Sequence, residues 1–319
     1  MVLSPVMVIG GAGFLGAHVC QLFAERGFTV VSFDLRSGAA RPGVEFFHGD
    51  VLSLQALNDC MNRFRIRGVI HLAATGNEAA AREHPLPALN LNVQGTINVA
   101  EACRLQKIQR LVYVSTGGVY GRREERRPAA EDDPITWRGT LYHPSHYIGE
   151  ILVDMYREVY RLDAVNLRPL AFYGPAASSN KEDHLRRKSL FFGPWLLKLL
   201  KGEEVEVRNC DTLWDLTYVK DVAQGVYLAY AAENPQRRLF NIGSGVLISY
   251  RDIAAAIGKL LGGARFRLIG GVEENPLRPF RGPLDISRAR EELGFAPQYD
   301  LERGIRELVE WATEGEELR

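Results

Sequence analysis

The chain of 319 residues is poor in cysteine, has no excess of charge of either sign and contains no long apolar run. Its four cysteines, Cys20, Cys60, Cys103 and Cys210, stand far apart with no Cys-x-x-Cys pair. That spacing argues against a disulfide framework and a zinc site, leaving isolated thiols and no expected metal. Lys plus Arg total 39, and Asp plus Glu also total 39. A neutral chain has no basic field for the phosphates of a nucleic acid, so none is expected as a partner. There is no acidic tail and no weakly hydrophobic stretch long enough to stay disordered. No run approaches the ~18–20 apolar residues needed to cross a bilayer, so no membrane partner is expected. Residues 1–16 hold Ser4, Pro5 and four glycines without a basic leader and read as a strand and turn. A cytoplasmic location is the default expectation.

What is present is an ordinary globular composition, 46% apolar and 24% charged. The length exceeds the ~100–150 residues of a typical single domain, so one large domain or two intimate ones are expected. Nearly continuous apolar runs at Val6–Ile9, 28–33, 44–47, 68–72, 111–115 and 165–167 read as strands buried on both faces. Segments of helical period lie between them at 14–26, Leu54–Phe64, 87–105 and 145–160. This alternation predicts an α/β fold, a Rossmann-type doubly wound parallel sheet. After Pro169 the rhythm changes. Residues 174–193 read as a polar, partly basic loop. They are followed by helices over 194–201, 219–232, 249–261 and Leu301–Thr313, with a strand at Leu239–Ile242. Ser249 and Asp252 are spaced as a capping box. A cofactor domain over 1–170, rejoined by part of 210–245, and a smaller α/β substrate-binding cap over 171–319 are expected. The mixed-sign run 122–127 reads as a solvated loop.

The first strand ends in Gly10-Gly11-Ala12-Gly13-Phe14-Leu15-Gly16. Gly10, Gly13 and Gly16 permit a tight turn and close backbone approach to a pyrophosphate, and the helix that follows offers free N–H groups. Asp34 stands 18 residues after Gly16, where a carboxylate accepts from a ribose 2′-OH and repels a 2′-phosphate. NAD is therefore the expected cofactor, in preference to NADP, although Arg36 lies two residues on.

Further motifs follow in order: His48-Gly49-Asp50-Val51, His71-Leu72-Ala73-Ala74, Asn92-Val93-Gln94-Gly95-Thr96, Ser115 to Gly121 (STGGVYG) and Leu167-Arg168-Pro169. Tyr218 to Asp221, Phe240 to Gly245 and Leu293-Gly294-Phe295 complete the set. The chain resembles, over essentially its whole length, the extended short-chain dehydrogenase/reductases of the NAD-dependent epimerase/dehydratase family. The resemblance implies that Asp50 and Val51 meet the adenine and that Leu72, Ala73 and Ala74 line the cofactor. It further implies that Asn92 braces the helix beneath and that Pro169 belongs to the same site.

The family's chemistry uses a tyrosine, a lysine four residues later, and a Ser or Thr at a strand end. The lysine cation lowers the phenol pKa, and i,i+4 spacing puts both on one helix face. Thr116 holds the Ser/Thr position. Tyr147 would pair with Ile151, which offers no chemistry. Tyr142 pairs with His146 and also aligns Ser145 and Gly149-Glu150 with the family pattern, so Tyr142 is the expected acid/base and His146 the lysine's replacement. His143 reads as a loop residue. On the substrate side, Ala171 stands where the family commonly has Asn, and Trp214 where it often has a diphosphate-binding Arg. Trp cannot replace Arg in bidentate phosphate recognition. Arg278 and Arg281 remain as candidate anion contacts, with Lys181, Arg186, Arg187 and Lys188. The Thr116-Gly117-Gly118 string lacks the acids of the sugar 4,6-dehydratases, which disfavours that chemistry.

The resemblance thus implies an NAD-dependent oxidoreductase or epimerase acting on a hydroxyl of a sugar or nucleotide-sugar. A dehydrogenase of a non-nucleotide substrate and an NAD-binding scaffold or sensor that has lost catalysis remain open alternatives. An apolar stripe of Ile148, Ile151, Leu152, Met155 and Val159 predicts a homodimer, unless it faces the sheet.

Overall fold

The computed structural model describes residues 3–38, 40–75, 78–121, 127–136, 140–176, 181–186, 192–273 and 282–314. Seven parallel strands form the central sheet: β1 (Val6–Ile9), β2 (Val30–Asp34), β3 (Val44–His48), β4 (Gly68–His71), β5 (Arg110–Val114), β6 (Ala164–Pro169) and, at one edge, Leu239–Ile242. The short strands β7 (Ala171–Tyr173), β8 (Val205–Val207) and β9 (Leu213–Tyr218) precede that edge strand, which is therefore β10. The sheet runs β10-β6-β5-β4-β1-β2-β3. Successive side chains of β1 point to opposite faces. Val6 and Val8 enter one core with the helix Phe14–Glu25 and the helix Val219–Ala231. Met7 and Ile9 enter the other, with the helices Leu54–Phe64, Gly95–Leu105 and Tyr142–Tyr160. Burial on both faces explains why these strands are continuous apolar runs. The strand order reverses between β1 and β4, and the crevice outside the carboxyl ends of the strands at that point is where such sheets bind ligands.

At Leu170 the chain leaves the large sheet and enters the cap. There β7 pairs in parallel with β9, which pairs antiparallel with β11 (Leu247–Ser249); β8 pairs with β12 (Phe266–Leu268). The helices Gly193–Leu200, Tyr250–Leu260 and Leu301–Thr313 share an apolar core with these strands. Ser249 and Asp252 form the expected reciprocal cap, Ser249 Oγ accepting from the Asp252 amide at 3.0 Å and Asp252 accepting from the Ser249 amide at 2.9 Å. All four cysteines are free and buried. Among the described residues no helix is long and apolar enough to cross a membrane.

Three local expectations are corrected. The helix expected over 87–105 comprises Pro85–Leu89, a π-helical turn at Asn90–Gln94 and Gly95–Leu105. A hydrophobic period of 3.6 does not reveal such a widened turn. The helix expected from 145 begins at Tyr142, because Pro144 sits in its first turn, where the missing N–H has no helical partner to lose. Within 174–193, residues Lys181–Arg186 are helical. Of the mixed-charge run only Arg127 is described, and it pairs with Asp133 at 2.7 Å.

Candidate active site

The glycine loop lies against the start of the segment after β4. Gly10 has φ +84°, and a Cβ there would sit 2.8 Å from the Ala73 amide nitrogen. A Cβ on Gly16 would stand 2.1 Å from the Gly10 carbonyl oxygen. Both positions therefore exclude any side chain, and the backbone is left open as a cradle at the N-terminus of the helix carrying Phe14 and Leu15. Gly13 caps that helix without a side-chain acceptor, so its first amides keep their hydrogen-bonding capacity. Asp34, at the end of β2, accepts from the Ala12 amide at 3.1 Å and the Arg36 amide at 3.0 Å. It braces the loop and retains lone pairs for a ribose. Asp50 accepts from the Leu52 amide, and the Val51 carbonyl accepts from the Asn98 side chain at 3.1 Å. Leu72 is held to β1 through Ile9. Pro169 closes β6 opposite Ile242.

Tyr142 opens the helix Tyr142–Tyr160 and is held from behind by a chain of three hydrogen bonds. The Thr75 amide donates to Asn92 Oδ1 at 2.7 Å, Asn92 Nδ2 donates to Ser145 Oγ at 2.8 Å, and Ser145 Oγ donates to the Tyr142 carbonyl at 2.8 Å. The π-helical turn presents the buried Asn92 to this chain. Asn92 thus ties the segment after β4 to the first turn of the tyrosine helix, a more specific role than bracing alone. Thr116, extended at the end of β5, accepts from the Gly118 amide at 3.1 Å and starts the single turn Gly117–Tyr120. Its hydroxyl proton remains free to donate.

Three imidazoles surround this first turn. His146 is 3% exposed, with Nδ1 at 3.4 Å from the Tyr113 hydroxyl and no partner for Nε2. His143 is 5% exposed, and neither ring nitrogen has a partner. It belongs to the helix, which corrects its reading as a loop residue. The Tyr142 ring meets both edge-on, at 5.0 Å from His143 and 4.9 Å from His146. Buried His71 lies behind, its Nε2 at 3.1 Å from Thr96 Oγ1. Thr96 spends its one proton on the Asn92 carbonyl, so Nε2 of His71 carries the hydrogen and Nδ1 is left unpartnered. Burial lowers all three pKa values, to about 3 for His146, about 4 for His143 and about 3 for His71. The His146 imidazole is therefore uncharged at neutral pH. Among the described residues no cluster of three His, Cys, Asp or Glu side chains could hold a metal ion.

One turn beyond His146 the environment changes. Glu150 takes a two-pronged contact from Arg168 of β6 (2.9 and 2.6 Å) and a third hydrogen bond from Ser115. Arg168 also donates to the Tyr120 hydroxyl at 3.0 Å, which donates to Asn241 of β10 at 2.7 Å. The network keys the helix to β5, β6 and β10.

On the cap side, Ala171 begins β7 beside Leu216 of β9. Trp214 is buried in the apolar core of the cap, its ring 6.4 Å from Tyr250. Its neighbour Asp215 accepts from the amides of Ser244, Gly245 and Leu284 at 2.9–3.2 Å and so anchors the chain just after the Pro-rich segment. Arg278 and Arg281, like Arg187 and Lys188, lie outside the described residues. Lys181 donates to the Glu314 carbonyl, and Arg186 pairs with Glu182 on an exposed helix face. Sequence reasoning missed His71 and His143 as site residues. Their signal was present, His71 opening the His-Leu-Ala-Ala motif and His143 following the tyrosine, but burial and pairing are not written in a motif.

Comparison with known proteins identifies the family. The model of the NAD-dependent epimerase/dehydratase family matches residues 6–243, and the chain belongs to that family. It is thus an enzyme of the extended short-chain dehydrogenase/reductase type. A UDP-glucose 4-epimerase of Mycolicibacterium smegmatis is 31% identical over 317 residues, covering 96% of this chain and 97% of the relative. UDP-glucuronate 4-epimerase 2 of Arabidopsis thaliana is 28% identical, covering 96% of this chain and 75% of the relative. The Thermus thermophilus UDP-glucose 4-epimerase, solved in complex with NAD, superposes with a TM-score of 0.84 at 26% identity, covering 97% and 99% of the two chains.

Proposed function

We propose that this chain is an NAD-dependent 4-epimerase of UDP-sugars. The observation that carries the reading is Tyr142, held by the Asn92–Ser145 chain in the same helix turn as the unpartnered His146 Nε2. The Gly10 and Gly16 cradle fits the pyrophosphate of NAD, Asp34 its ribose, and Asp50, Val51, Leu72, Ala73, Ala74 and Pro169 its remaining length. The neutral His146 Nε2 supplies a hydrogen-bonding partner for a ribose hydroxyl. NAD, when bound, takes up and returns a hydride.

Tyr142 takes the proton of the reacting sugar hydroxyl and gives it back, while Thr116 donates to the same oxygen and keeps it in reach. His146 orients without charge, so no ammonium assists ionisation of the phenol. The full-length similarity to relatives named for UDP-sugars favours a nucleotide-sugar over a free sugar. Ile148, Ile151, Met155 and Val159 are exposed on the helix Tyr142–Tyr160, which supports a homodimer formed through this face over a stripe buried on the sheet. Purified protein with NAD should convert UDP-glucose to UDP-galactose, and Tyr142→Phe should slow this ~10²–10⁴-fold. Absence of turnover on UDP-sugars, or an indifferent Tyr142→Phe, overturns the reading. Light scattering should give twice the chain mass, and Ile151→Glu should halve it.

A further inference from the structure

His143 is not explained by packing or by the proton-transfer scheme above. Its ring is more than nine-tenths buried, yet both nitrogens lack partners, an arrangement that native interiors rarely tolerate without a ligand or an ordered water. The ring occupies a particular place. A Cβ on Gly118 would lie 2.2 Å from its Cε1 and Nδ1, so the imidazole fills the volume that any side chain at 118 would take. Gly118 is two residues beyond Thr116 and in the same hydrogen-bonded turn, while Tyr142 is the adjacent residue in the helix. The ring thus packs on the turn that Thr116 starts, with its edge against the ring of Tyr142. The described groups seen against it, Tyr142, Gly118 and the uncharged His146, bring no counter-charge.

We propose that His143 is a specificity-determining residue that reads a hydroxyl of the sugar, and that the site takes UDP-hexoses in preference to UDP-hexuronates. A neutral imidazole offers one N–H and one lone pair, which matches a hydroxyl, itself donor and acceptor. A carboxylate only accepts, and among the described residues no charged group acts on the ring that could meet it. Burial holds the ring in this neutral form, its pKa lowered to about 4. The inference rests on the UDP-sugar reading and adds the choice between sugars.

The test compares UDP-glucose and UDP-glucuronic acid as substrates of the wild type, His143→Phe and His143→Gln. Phe keeps the ring volume over Gly118 and removes both polar atoms. Its KM for UDP-glucose should rise ~10-fold or more, with a smaller change in kcat, at an unchanged melting temperature. Gln, which keeps a donor and an acceptor, should recover most of the lost affinity. Wild-type kinetics in the Phe variant, or a wild-type preference for UDP-glucuronic acid, overturns the proposal. If the wild type turns over neither sugar, the UDP-sugar epimerase reading fails by itself. His143 is then judged by NMR: its ring resonances, identified by their loss in His143→Gln, should shift on adding UDP-glucose with NAD, and unmoved resonances overturn it.

Discussion

The two ends of one stretch of helix, residues 142–146 and residue 150, treat buried polar groups in opposite ways. At Glu150 each carboxylate oxygen is met by Arg168, Ser115 adds a further bond, and the pairing extends through Tyr120 to Asn241 on the far strand. At the first turn, the two nitrogens of His143 and Nε2 of His146 are buried with no partner, and Nδ1 of His71 behind them shares that condition. A satisfied network spends its hydrogen bonds on holding elements together. An unsatisfied one keeps them for something that arrives. The same helix is thus locked at Glu150 and held ready at Tyr142.

Breaking the locked end should give the largest loss of stability. Glu150→Ala strands a buried guanidinium and should cost ~3–5 kcal/mol in urea unfolding. If it costs less than 1 kcal/mol, the contrast between the two ends fails. Acid should act through the ready end. The native pKa values of His71, His143 and His146 lie below that of an unfolded histidine, at about 3, 4 and 3, and His18, in the helix Phe14–Glu25, adds to the effect at about 4. Below pH ~6.5 the unfolded chain therefore binds protons that the native chain refuses, and stability falls as pH falls. Buried carboxylates raised by burial, Asp215 and Asp221 among them, work in the other direction. The sharper readout is therefore a difference: His143→Phe should make the decline between pH 6 and 4.5 shallower by up to ~1.4 kcal/mol per pH unit. An unchanged slope means that His143 is not held neutral. Asn92→Ala removes the link that ties Thr75 to Ser145, and should cost ~1–3 kcal/mol of stability together with a loss in kcat. A stability loss with kcat intact would make the Asn92 chain scaffolding only.

The sheet and the cofactor cradle were legible in the sequence because their causes are local. Buried parallel strands must be apolar throughout, and a turn with no room for a Cβ must be glycine. The i,i+4 spacing of Tyr142 and His146 was equally plain, and the structure places both in the first turns of one helix. The rest depended on contacts distant in sequence. Nothing in the sequence 85–105 announces a π-helical turn at Asn90–Gln94, whose Asn92 bonds with Thr75 and Ser145, partners distant in sequence. His143 read as a loop residue, and its burial includes a contact with Gly118 that only the fold creates. The strands β8 and β12 are three residues each, too short for a period-2 pattern to register.

A short-chain dehydrogenase/reductase site that works with an uncharged imidazole at position 146 should show itself in the pH–rate profile of UDP-glucose epimerisation. With no ammonium at position 146 to favour the phenolate, the wild-type rate should climb with pH through the alkaline range, and His146→Lys should move the midpoint of that climb to lower pH. A wild-type rate that is already flat above pH ~6.5, or a His146→Lys profile that coincides with it, would contradict the account.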